Sequence, residues 1–225
     1  MNGYDFDKTI YKKDSSVEFY LFLIKRHLYL LYHLFYFAFC YALYKLRIKN
    51  KIFAKEAMFS ITKHIRNIDS EVELFWKDKK LEDWYLKKQK KNDIIISASP
   101  EFLLLPFLKK NNITNLISTN VNKKTGKIIG NNCYGEEKPK MFRKKYADLM
   151  LDNFYTDSKS DLSMQAVSKK VIIKKEWLMK KSDEKIALFI DKVLNKDMDI
   201  KKKILLVIIL LILNIITIII RFNIK

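Results

Sequence analysis

Four short groups of residues could carry chemistry, and each stands where a strand should end or a helix should begin. Asp5-Phe6-Asp7-Lys8-Thr9 comes almost at the start of the chain. Two carboxylates at i and i+2 point the same way from an extended backbone. They can divide the labour of ester cleavage: one attacks phosphorus, and the other protonates the leaving oxygen and later takes a proton from water. A solvated acidic turn is the plain alternative. Ser97 follows the apolar run Ile94-Ile95-Ile96, where a hydroxyl and nearby backbone N–H groups can hold a phosphoryl oxygen. Taken alone it also reads as a turn former. Lys138 ends Gly135-Glu136-Glu137-Lys138, at a helix start. The helix dipole disfavours a cation there, which makes sense if an anion is bound at the same place; a solvated lysine is the simpler reading. Asp157-Ser158-Lys159-Ser160-Asp161 closes another strand. With Asp5 it would form an oxygen-rich magnesium site, where the cation screens carboxylate from phosphate.

The elements needed to position these groups can be traced in the pattern. Residues 2–6 read as a short strand, weak because Asn2 and Gly3 are poor strand formers. A helical region covers about 15–91, with Val17, Tyr20, Leu21 and Ile24 at helical spacing. Asp69-Ser70 followed by Glu73 marks a helix start within it. Residues 93–96 read as a buried parallel strand, and Pro100 opens a helix to about 109. A strand over 115–121, a turn at 122–126 and a hairpin partner at 127–130 follow. After the helix opened by residues 135–137 come a strand at 151–156, a short helix from Asp161, a strand at 171–173 and a helix over 177–194. Strand–helix alternation after residue 92 predicts a parallel α/β sheet. In such sheets ligands bind beyond the carboxyl ends of the strands, where all four groups fall.

Taken in order, the four groups resemble the motifs of the haloacid dehalogenase superfamily of hydrolases, most closely its phosphoserine-phosphatase-like branch (subfamily IB). The residues that carry the likeness are Asp5-Phe6-Asp7-Lys8-Thr9, Ile96-Ser97-Ala98-Ser99-Pro100-Glu101-Phe102, Asn132-Cys133-Tyr134-Gly135-Glu136-Glu137-Lys138 and Tyr155-Thr156-Asp157-Ser158-Lys159-Ser160-Asp161. The resemblance spans about residues 4–175. It implies a Rossmannoid parallel sheet with a helical cap inserted between the first and second motifs. It also implies that Asp5 is the nucleophile forming an aspartyl-phosphate and that Asp7 is the general acid/base. Ser97 and Lys138 would hold the phosphoryl group. Asp5, Asp157 and the backbone carbonyl of Asp7 would bind Mg2+, with Thr9 and Asp161 in support. The match departs from the family pattern in two places. Tyr134 stands where many phosphoserine phosphatases carry their third-motif lysine, and Thr156 and Ser158 replace the glycines that usually flank the fourth-motif aspartate. The organisation expected is a catalytic core of 1–14 and 92–200, a cap of 15–91, and a C-terminal membrane anchor of 201–225.

That anchor is read from hydropathy. Residues 204–220 are apolar except for Asn214 and Thr217, after Lys201, Lys202 and Lys203 and before Arg221. As a helix the run would be about 25 Å long, near the lower limit for a span, and it lacks the polar face of a core helix. The lysines fit a cytoplasmic flank, and no secretory signal opens the chain, so the catalytic domain is expected in the cytoplasm at a membrane. Residues 28–44 are also nearly uncharged, rich in Tyr and Phe, with basic flanks. Were they to cross a bilayer once, Asp5 would be separated from Ser97, Lys138 and Asp157. They are therefore either the packed interior of the cap or a surface that dips into the lipid interface.

The totals set bounds. Lys+Arg exceeds Asp+Glu by 44 − 25 = 19, a basicity suited to anionic lipid, phosphorylated substrates or nucleic acid. No nucleic-acid motif accompanies it, and no nucleic-acid partner is expected. Cys40 and Cys133 form neither a disulfide framework nor a zinc site, and His27, His33 and His64 read as structural or exposed. The sequence thus points to a membrane-tethered, magnesium-dependent phosphomonoesterase acting on a lipid or interfacial phosphate. The resemblance extends to family members that dephosphorylate phosphatidylglycerophosphate. The alternatives are a phosphatase of a soluble ester such as phosphoserine and a non-catalytic membrane-anchored binding module.

Overall fold

The structure, a computed structural model, describes residues 1–174 and Ile209. Its centre is a five-stranded sheet in the order β3-β2-β1-β4-β5, parallel throughout. The strands are β1 (Gly3–Tyr4), β2 (Ile94–Pro100), β3 (Leu116–Thr119), β4 (Phe154–Thr156) and β5 (Val171–Ile173). β1 is only two residues long, yet it pairs with β2 on one side and β4 on the other. Its glycine has a packing reason. A Cβ at Gly3 would lie 2.7 Å from the Leu151 side chain and 2.9 Å from the Phe154 ring, so any larger residue would have to displace them.

Helices cover both faces, which is why Ile94, Ile95 and Ile96 are all fully buried. The side-chain period of two assigns them. Ile95 joins a core built with Leu23, Val72, Trp76 and Phe107, whereas Ile94 and Ile96 join Phe142, Leu151, Phe154 and Met164 on the other face.

Between β1 and β2 lie α1 (Ser15–Arg26), α2 (Leu31–Lys45), α3 (Lys51–Phe59), α4 (Ile68–Trp76) and the single turn α5 (Asp83–Leu86). The Asp14 side chain caps α1 by accepting from the Val17 N–H at 3.1 Å. The helix expected to start at Asp69-Ser70 starts slightly earlier, at Ile68. Asn67 is its cap, accepting from the Ser70 N–H. After β2 come α6 (Glu101–Lys110) and, after β3, α7 (Glu137–Tyr146). The expected hairpin at 127–130 is reduced to one antiparallel bridge, Val121 to Ile128. The helix expected at 177–194 and the apolar run 204–220 lie outside the described residues. Among those described, no helix is long and apolar enough to cross a membrane.

The aromatic segment resolves in a way neither alternative anticipated. α2 buries His33, Leu34, Ala38, Cys40 and Ala42 and exposes Tyr32, Phe35, Tyr36 and Phe39. It is half interior and half surface. It does not separate the motifs, since Lys138 lies within hydrogen-bonding distance of Asp5.

Candidate active site

The sheet order reverses at β1: the chain leaves it toward β2 and β3, then returns on its other side as β4 and β5. A crevice forms beyond the carboxyl ends at such a switch point. The sequence groups after β1, in β2, at the start of α7 and after β4 converge there. A cavity of ≈ 440 Å³ opens above them, lined by Asp5, Asp7, Lys138, Asp157 and Asp161 below and by side chains of α2 and α3 above.

Asp5 and Lys138 form the floor. The Lys138 ammonium donates to Asp5 at 3.0 Å and to Asp161 at 2.7 Å, and Asp161 also accepts from the Thr156 hydroxyl at 2.8 Å. Lys138 is only 2% exposed. Burial opposes its charge, but the two carboxylates outweigh burial and hold its pKa above the usual lysine value. Lys138 therefore reaches the site from a position one turn beyond the usual one. Tyr134 occupies the usual position and carries the Lys51 ammonium 3.2 Å from its ring centroid. For Asp5, burial and the charges of Asp161 and Asp157 raise the carboxyl to about 6 against the pull of Lys138.

Asp7 points elsewhere. One oxygen accepts the Ser15 N–H at 2.7 Å, at the start of α1, and the other accepts the Ser99 hydroxyl at 2.5 Å. Ser99 is in turn bonded to the Ser16 hydroxyl. Burial, with Asp14 nearby, pushes the Asp7 carboxyl up to about 7, the range in which a carboxyl can both give and take a proton near neutrality. Lys8, next along, has a positive φ of 56°. This reversal lets the Phe6 carbonyl accept from the N–H groups of Thr9, Ile10 and Tyr11, and so fixes the two aspartates on their loop. Thr9 is buried inside it, its hydroxyl without a partner.

Ser97 departs from expectation. It is fully buried, its hydroxyl accepts the Ser99 N–H at 3.1 Å, and the cavity wall at this strand end is formed by Ala98 and Ser99. It shapes the turn from beneath. Lys55, unremarked in the sequence, reaches down from α3 to donate to the Ala98 carbonyl at 2.8 Å and to Asn132 at 2.7 Å. Both acceptors are neutral. Burial and the neighbouring Lys51 push its pKa down to about 8. Only its environment distinguishes it from the many other lysines.

The donors suit a hard divalent cation. Asp5, Asp7 and Asp157 all line the cavity and would offer such an ion oxygen ligands. Burial, with Asp161 nearby, raises the Asp157 carboxyl, and burial with Asp161 and Asp157 raises that of Asp5; a bound cation would favour both ionised forms. Among the described residues no three His, Cys, Asp or Glu side chains form a cage. Magnesium fits this sparse set better than calcium, since it keeps several waters and commonly takes one or two carboxylates plus a substrate phosphate.

Comparison with known proteins decides the family. Residues 3–165 match the haloacid dehalogenase-like hydrolase family. The chain belongs to that family. Among solved structures, this hydrolase is similar to a protein of unknown function from Bordetella pertussis Tohama I. They share 17% identity over 84% of this chain and 94% of the other, with a TM-score of 0.61. It is also similar to a HAD family hydrolase from Salmonella enterica subsp. enterica serovar Typhi, at 13% identity over 74% of this chain and 59% of the other, with a TM-score of 0.56. These likenesses concern the fold. No curated protein sequence matches the chain significantly. The parallel sheet with flanking helices is the one the family requires.

Proposed function

We propose that this hydrolase is a phosphomonoesterase that works through an aspartyl-phosphate on Asp5. The observation that carries the reading is the buried Asp5–Lys138–Asp161 arrangement beside Asp7 and Asp157, at the switch point of the sheet. An Asp5 oxygen attacks phosphorus as the bond to the leaving oxygen breaks, and Asp7 gives that oxygen its proton. Asp7 then takes a proton from water as the water oxygen attacks phosphorus and releases phosphate and Asp5. Lys138 holds the phosphoryl oxygens, with the 97–99 turn beside them. Bound by Asp5, Asp157 and the Asp7 carbonyl, Mg2+ would screen these carboxylates from the incoming phosphate.

In this reading residues 15–91 act as the cap and 204–220 hold the chain at a membrane, so the phosphate belongs to a lipid or another interfacial molecule. The support is the apolar run in the sequence and the aromatic lining that α2 gives the cavity through Phe37, Tyr41 and Tyr44.

The test is phosphate release from phosphatidylglycerophosphate, phosphatidic acid, phosphoserine and an aryl phosphate, with and without magnesium. Asp5→Asn should abolish release with an unchanged circular dichroism spectrum. Retained turnover would remove Asp5 as nucleophile, and release from soluble esters alone would remove the lipid assignment.

A further inference from the structure

Helix α2 is a wall with two apolar sides. Phe37, Tyr41 and Tyr44 face the cavity, while Tyr32, Phe35, Tyr36 and Phe39 face outward, Phe35 being 58% exposed. The turn before α2 adds Leu28 and Tyr29, 67% and 61% exposed. A helix packed on one side only should carry polar residues on the other. This one carries a contiguous aromatic stripe, the kind of patch that marks an interaction surface. The hydroxyls of Tyr29 and Tyr32 are tied back to His64, which holds their rings in place.

Charge identifies what covers the stripe. No Asp or Glu occurs between Glu18 and Glu56, and Lys25 and Arg26 precede the stripe while Lys45, Arg47 and Lys49 follow it. At the near end Glu71 pairs with Arg26 and His27. At the far end Arg47 and Lys49 are exposed, and Lys45, exposed too, lies against the cavity-side rings of Tyr41 and Tyr44. Aromatic rings between basic ends suit the headgroup region of an anionic bilayer, with rings at the acyl boundary and cations against phosphates. A second copy docked through the same stripe would bring like basic ends together, and residues 204–220 contain no acid to neutralise them.

We infer that the outer face of α2, with the turn before it, is a docking surface for an anionic lipid bilayer. A helix is about 10–12 Å across with its side chains, so docking sets the cavity about one helix diameter from the interface. For the use of that cavity the inference rests on the phosphatase reading, but docking itself can be measured without turnover.

The experiment uses the full chain in vesicles of phosphatidylcholine and phosphatidylglycerol. An environment-sensitive fluorophore is attached at Phe35→Cys and, separately, at Phe39→Cys. The native Cys40 and Cys133 are buried, so labelling is selective. The expected result is a blue shift and loss of most of the emission when the lipids carry brominated acyl chains. A water-like spectrum in vesicles overturns the inference, and so does a blue shift without bromine quenching, which would mean cover by protein. Quenching in a protein that releases no phosphate would leave docking standing and remove the phosphatase reading instead.

Discussion

The Lys138 ammonium lies 3.0 Å from an Asp5 oxygen although 133 positions separate the two residues. A second carboxylate, Asp161, shares the same cation. Removing one member of a buried ion group leaves the others uncompensated, which typically costs about 3–5 kcal/mol. Lys138→Met should therefore lose both turnover and about that much unfolding free energy in urea. Adding Asp161→Asn should restore part of the stability and none of the turnover. Wild-type stability in Lys138→Met would show that the pair contributes nothing to the fold.

In the proposed mechanism Asp5 must be ionised to attack, and Asp7 must be protonated to serve the leaving group. With Asp5 raised to about 6 and Asp7 to about 7, activity on an alkyl phosphate should rise through the first value and fall above the second. The fall should be about tenfold per pH unit in kcat/KM, as for loss of one proton. Magnesium should move the acid limb lower, because a cation favours ionised Asp5. An aryl phosphate with a good leaving group, which needs no acid, should lose the upper limb. An upper limb that persists in Asp7→Asn would assign it to another group.

Lys55 is a half-buried cation hydrogen-bonded to neutral oxygens at the edge of the cavity. An anion there gains a charge-assisted contact, for which loss of one hydrogen bond costs about 1.5–3 kcal/mol. Lys55→Met should weaken competitive inhibition by inorganic phosphate by about tenfold or more. Unchanged inhibition would confine Lys55 to joining α3 to the 98–132 region.

His33 is held between the Tyr20 hydroxyl and Ser60, and burial, with His64 and Lys63 nearby, lowers its pKa to about 4. Its folded value lies below the ordinary 6.5 of an unfolded chain. Its contribution to stability is thus complete above 6.5 and is lost as pH falls toward 4. Urea midpoints measured across that window should decline, and His33→Gln should flatten the decline. A decline of the same slope in the variant would attribute it to other groups.

The sequence made the aspartates legible because their spacing and strand-end placement are local properties. Lys138 was legible only as a cation in the first turn of a helix; its reach to Asp5 depends on how α7 meets β1. Ser97 and Ser99 illustrate the limit: both follow an apolar strand, and only the turn decides that Ser97 is buried beneath and Ser99 bonds Asp7. Lys55 could not be told from its many neighbours, since its burial is a tertiary fact. The two-sided nature of α2 was hidden for a different reason. A segment apolar all round carries no periodic signal of which face is covered.

The brevity of β1 has a consequence for how the chain acquires its shape. Gly3 pairs with Ile94 and with Phe154, so the strand at the centre of the sheet has no local partner, and pairings so distant in sequence form slowly. During synthesis Asp5 leaves the ribosome well before the strands that hold β1, and it is among the last residues to be fixed. Until residue 156 has emerged, the nascent protein has all the helices between β1 and β2 while Asp5 is not yet held in place.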